Sequence, residues 1–187
     1  MSLAWLFFLL IALSVVSYVL VRRRALASAG GDSRGLHSLP SYYGYNGMLF
    51  VLVPSLLVLA AWLILQPILI GASIRGDIAR ETLDADANMS LMMSDVRRVA
   101  DGLDIAIEQG AMTPEMAESL RTEFTDVRAR VGEVGVALGS DVDQSILRSA
   151  QRYRAMDATA DVVRNVVIVL LALSGFGLAY ARTNKAF

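Results

Sequence analysis

Cysteine is absent from this chain and histidine occurs once, as His37. The first absence excludes disulfides, thiolate zinc sites and cysteine nucleophiles. The second leaves no pair of histidines for a HExxH zinc helix and makes His37, with no second ligand type beside it, a poor metal or catalytic candidate. The GxxxxGK phosphate loop does not occur. An enzyme, a cofactor, a metal site and a nucleic-acid partner are therefore not expected. Charge is missing too, but only in places. From Ser2 to Val21 and from Gly47 to Ile74 there is no Asp, Glu, Lys, Arg or His.

Each of those runs reaches the roughly 20 residues needed to cross the hydrocarbon core of a bilayer. With 55% hydrophobic residues and a mean hydropathy of +0.51, the chain is too apolar for an ordinary soluble domain. Transmembrane helices are predicted at 1–21 and 47–74. Pro54 and Pro67 lie inside the second, and each predicts a kink that membrane helices tolerate. Arg22, Arg23 and Arg24 close the first run. A cleavable signal peptide is the rival reading there, since Ala27-Ser28-Ala29 imitates a cleavage site. Its charge order is wrong, because the positive residues follow the apolar core instead of preceding it. The positive-inside rule places the arginine cluster in the cytoplasm and the N-terminus outside; attraction to anionic lipid headgroups is a secondary role.

The connector 22–46 reads as a cytoplasmic loop. Pro40 biases Leu39 to extended geometry, so the next helix starts only after it. Tyr42, Tyr43 and Tyr45 then fall where amphipathic rings anchor a helix to the interface. A functional alternative makes Leu39, Pro40, Tyr42, Tyr43 and Gly44 a loop that docks on a partner helix or subunit.

Between Arg75 and Asp161 the composition changes, with 17 acidic against 10 basic residues. Residues 75–161 are expected to form a water-exposed helical domain on the extracytoplasmic side. Met92, Val96, Val99, Leu103 and Ile107 recur at helical spacing, and so do Met116, Leu120, Phe124, Val127, Val131, Val134 and Leu138. Gly110 stops the first of these helices. Thr113-Pro114-Glu115 caps the second, which is expected to run unbroken to Gly139. Ser140 and Asp143 resemble a capping box for a third. Asp84 with Asp86, and Asp141 with Asp143, read as solvated N-terminal charges in preference to metal ligands.

No breaker separates that third helix from the apolar run at 162–181, which predicts one helix from Asp141 to Arg182, roughly 60 Å long. Arg164 can snorkel to the outer interface, and Arg182 and Lys185 finish a cytoplasmic tail at 182–187. Gly175 with Ala179, and Gly177 with Ala181, form small-xxx-small pairs that let backbones approach closely in lipid. They pack either the three spans together or a further helix beyond them. The fold class is thus an all-α integral membrane protein with three transmembrane helices and a helical domain between the second and third.

The string LHSLPSYYGYNGMLFVLVPSLLVLAAWLILQP, from Leu36 to Pro67 and preceded by an apolar helix and RRRALA, resembles the N-terminal region of the long form of the phosphate ABC transporter permease subunit, the PstC family. Leu36-His37-Ser38-Leu39-Pro40-x-Tyr42-Tyr43-Gly44 is the most specific element. Met93 to Gly102 and the closing LAYARTNKAF are similar with less specificity. The resemblance implies a multi-pass protein of the bacterial inner membrane. It also implies partners beyond the lipid bilayer: a permease core, a partner permease subunit, an ABC ATPase and a periplasmic phosphate-binding protein. Phe187 falls where that family's permease core begins, so a fragment or a separate small subunit is expected, accessory to phosphate import. The competing reading is a membrane-anchored signalling or scaffold protein, since two spans flanking a helical outside domain also build bacterial sensors.

Overall fold

In the computed structural model, residues 2–81, 89–122, 126–133, 135 and 142–183 are described. These described residues form six α-helices: α1 Leu3–Ser28, α2 Pro40–Glu81, α3 Met89–Glu108, α4 Pro114–Ser119, α5 Val127–Glu133 and α6 Gln144–Arg182. The described residues contain no strand. α1, Pro40–Ile78 of α2, and α6 are each long and apolar enough to cross a membrane. The chain divides into two compact units, Met1–Ile64 with Asp161–Phe187, and Leu65–Ala160.

In the first unit α1 is capped by Ser2, whose hydroxyl accepts from the Trp5 N–H. Helical geometry does not stop at the arginines. It continues past Arg22, Arg23 and Arg24 to Ser28, because an Ala- and Leu-rich sequence favours further turns. Gly30 and Gly31, at φ +67° and +89°, end it, with the Gly31 N–H returning to the Leu26 carbonyl at 2.9 Å. A short 3-10 turn, Ser33–Gly35, follows. The Asp32 carboxylate accepts from the Arg34 N–H at 2.9 Å and fixes it.

α2 starts at Pro40 itself, and its assignment runs through Pro54 and Pro67. The expected loop 22–46 therefore shrinks to a connector between Ser28 and Pro40. A long helix keeps its backbone paired beyond the apolar run, which a charge-free window cannot reveal.

This unit's core is Leu6, Leu10, Val51, Leu59, Ile168 and Ala172. Large apolar side chains also cover its outside, with Trp5 at 68%, Phe8 at 67% and Leu57 at 66% exposure. Apolar residues all round are what a helix surrounded by lipid carries. The buried serines Ser14 and Ser55 return their hydroxyls to carbonyls of their own helices, at Ile11 and Val51, both at 2.7 Å.

The second unit packs around Ile70, Ile74, Val96, Val99, Leu103, Ala117, Leu147 and Ala150. Gly110 ends α3 at φ +73°, with the Ala111 N–H on the Ala106 carbonyl at 2.8 Å. Thr113 caps α4 by accepting from the Met116 N–H at 3.2 Å, and Pro114 takes the first helical position.

The single helix expected from Thr113 to Gly139 is instead two. Leu120 turns extended at ψ 138°, and Asp126 recaps the chain by accepting from the Ala129 N–H at 3.0 Å. Two glutamines of α6 make the break tolerable. The Gln151 Nε2 group donates to the Ala117 and Leu120 carbonyls at 2.8 and 3.2 Å, while the Gln144 side-chain Oε1 accepts from the Thr122 N–H and hydroxyl at 2.9 and 2.7 Å. Backbone groups freed by the break thus find partners. Phe124, Val134, Leu138, Gly139, Ser140, Asp141, Asp84, Asp86 and Lys185, all invoked from the sequence, lie outside the described residues.

Candidate functional site

The side chains with polar or packing roles in the three-helix unit gather where the end of α1, the start of α2 and the end of α6 meet. α2 enters against α1 through two glycines. A Cβ on Gly44 would lie 2.7 Å from the Tyr18 ring, and one on Gly47 would lie 2.8 Å from Val21. Any side chain at either place would force its neighbour to shift. The Tyr18 ring also meets Tyr45 edge-on, with centroids 5.2 Å apart. Pro40, Tyr42, Tyr43 and Gly44 therefore belong to the first turns of a helix, and only Leu39 precedes it. Leu39 and Tyr42 remain outward, at 64% and 63% exposure. The expected loop is thus, from Pro40 onward, a helix N-terminus, because Pro40 has its φ already set for the first helical turn.

α6 closes on α2 at Gly175. A Cβ there would overlap the Phe50 carbonyl oxygen and come 2.9 Å from its carbon. That carbonyl is special, since Pro54 has no N–H to donate back to it. Ala179, one turn further, is buried at 6%. Gly177 meets nothing within 4 Å, so the overlapping pair Gly177 and Ala181 faces outward.

The arginines divide. Arg22 and Arg23 are exposed. Arg24 reaches α6, where its Nη1 donates to the Tyr180 hydroxyl at 2.8 Å and its guanidinium lies 4.1 Å from the centre of the same ring. Arg182 stacks over Phe50 at 5.5 Å. Beneath it is a cavity of about 120 Å³ lined by Val21, Tyr43, Asn46, Gly47, Phe50, Ala179, Arg182 and Thr183. Sequence reasoning singled out Tyr43 and Ala179 but missed Asn46, Gly47, Arg182 as a cavity residue, and the Tyr180 contact. The paired signal of an arginine on one span and a tyrosine at the matching depth of another was available.

Arg164 does not snorkel. It is 5% exposed, with Nη1 donating to Asp161 Oδ1 at 2.7 Å and Nη2 to Asn165 Oδ1 at 3.4 Å. Asp161, one turn earlier on the same helix, supplies a counter-charge that permits burial.

The second unit carries its own polar cluster. Gln66 Nε2 donates to Asp157 Oδ1, Arg154 Nε to Asp104 Oδ1, and Arg152 pairs with Asp77, each at 2.7 Å. Partial burial, with a smaller push from Asp104, raises the Asp101 carboxyl above its ordinary value, against a lowering by Arg97. Glu115 is lowered by hydrogen bonds from its own backbone N–H and from Thr113.

A helical, multi-pass membrane protein is the class that these spans and packing contacts define. Residues 7–177 match the family described as "Phosphate ATP-binding cassette transporter", and the chain belongs to that family. No curated protein and no solved structure matches it.

Proposed function

We propose that the chain is the N-terminal membrane region of a phosphate ABC transporter permease of the long-form PstC type, accessory to the transport core. Support comes first from the family match, which runs from the first span through the helical segment to the last. The resemblance of Leu36 to Gly44 supplies the finer identification. On this reading 1–21, 47–74 and 162–181 cross the bacterial inner membrane, with 22–46 and 182–187 cytoplasmic and 75–161 in the periplasm. The partners are a permease core, a second permease subunit, an ABC ATPase and a periplasmic phosphate-binding protein. The chain has a scaffolding role and no catalytic one.

Several features suit such a role. Gly175 and Ala179 spend one face of α6 on packing inside the three-helix unit, while Leu170, Leu173 and Leu178 stay exposed for lipid or a further helix. Affinity purification of the tagged chain from its own membranes tests the reading: a permease and the ATPase should be recovered in comparable amounts. Recovery of neither would remove it. Orientation has a separate test, since any cysteine introduced is unique. An impermeant thiol reagent should label a cysteine at Ser119 and spare one at Ser33.

A further inference from the structure

We propose that the cavity under Arg182 holds the phosphodiester headgroup of an anionic phospholipid. Four arginines, Arg22, Arg23, Arg24 and Arg182, are carried by the ends of α1 and α6, which the Arg24 contact to Tyr180 ties together. The only acidic residue in 1–74 is Asp32, and its carboxylate is engaged in capping the turn at Arg34. Among the described residues no carboxylate pairs with any of these four arginines. Positive charge at the edge of an apolar bundle, left without an internal counter-charge, is satisfied by anionic headgroups.

The cavity fits one phosphate-bearing group and not a whole lipid. Tyr43 and Asn46 supply a hydroxyl and an amide beside a single guanidinium held against the Phe50 ring, while the Thr183 hydroxyl turns back to the Ala179 carbonyl at 2.8 Å. Its other walls, Val21, Gly47, Phe50 and Ala179, are apolar. The same helix segments carry exposed Leu20, Leu49, Val53 and Leu178, on which acyl chains can lie. Free phosphate shares the anionic chemistry, but it bears more than one negative charge at neutral pH and no tail. One arginine and a half-apolar wall match a singly charged diester better. This inference is independent of the transporter role, since a scaffold or sensor would use the same site.

Native mass spectrometry of the detergent-extracted chain, equilibrated with an equimolar mixture of phosphatidylglycerol and phosphatidylcholine, tests the assignment. Preferential retention of phosphatidylglycerol is expected. Arg182→Gln should lower that preference about five-fold, the scale of one basic side chain at an anionic surface. Arg34→Gln, with the same charge change outside the cavity, should leave it unaltered. Circular dichroism would check that both variants keep parental helix content. The proposal is overturned if the parent shows no headgroup preference, or if Arg34→Gln costs as much as Arg182→Gln. It is also overturned if millimolar inorganic phosphate displaces the lipid, which would assign the cavity to free phosphate.

Discussion

Gly175 sits against the carbonyl of Phe50 so closely that a Cβ on it would overlap the oxygen. The contact joins two local facts. Pro54 deprives that carbonyl of its helical donor, and a glycine on the neighbouring helix leaves only Cα hydrogens facing it, a geometry in which weak Cα–H to oxygen contacts form. Because the obstacle is backbone and not a flexible side chain, it cannot step aside.

Gly175→Val should therefore destabilise the three-helix unit by about 1 to 3 kcal/mol, the usual cost of overpacking. Gly177→Val, in open space, should be close to neutral. Thermal unfolding in detergent, followed by circular dichroism, distinguishes the two. Equal midpoints for both variants would show that α2 and α6 do not meet at Gly175.

A second test concerns the interrupted helix between Pro114 and Glu133. Gln151 is the only side chain among the described residues seen donating to both Ala117 and Leu120 carbonyls. Gln151→Leu should cost about 1 to 3 kcal/mol by leaving those acceptors without it. It should also make the bond region around Arg121 a preferred protease site. If the variant instead resists protease better than the parent, the glutamine is holding the break open against a helix the segment prefers.

Those elements show where sequence reasoning reaches and where it stops. Spans, the α3 stripe, the Gly110 stop, the Thr113 cap and the continuity of α6 were legible because each is a local pattern of charge, period or cap chemistry. The break at Leu120 was not, because its freed carbonyls are satisfied by Gln151, some 30 positions away, while the local apolar spacing still reads as helix. Gly44 and Gly47 were hidden for a related reason. Which glycine lies at an interface depends on how the helix is rotated against Tyr18 and Val21, and an all-round apolar helix carries no stripe to report that rotation. Arg164 was misjudged because snorkelling was weighed without the Asp161 carboxylate three residues before it.

Asp101 supplies a pH signature. Its carboxyl is raised above the ordinary 3.8, chiefly by partial burial and then by Asp104, so the folded state binds the proton more tightly than the unfolded state does. This contribution makes stability fall as pH rises from below 3.8 through the raised value, and stay lower above it. Asp101→Asn should hence raise the unfolding midpoint relative to the parent at pH 7, with the gain vanishing below about pH 3.8. A gain that persists or grows in acid would reverse the sign and remove the explanation.

The last prediction is that the chain alone carries no phosphate across a membrane. A path for a multiply charged anion needs cationic or strongly polar groups facing a wet cavity, since bare charge in hydrocarbon is prohibitively costly. The runs Ser2–Val21 and Gly47–Ile74 contain no Asp, Glu, Lys, Arg or His. In 162–181 the only charged residue is Arg164, which is buried and engaged by Asp161 and Asn165. Gln66, the polar group of the second run, is spent on Asp157. Arg22, Arg23, Arg24 and Arg182 lie toward the ends of α1 and α6, where they can hold an anion at the surface but cannot pass it through. Liposomes containing the chain should take up labelled phosphate no faster than empty vesicles. Uptake above that background, abolished by Arg164→Gln with helix content retained, would make this arginine part of a pathway and overturn the accessory role.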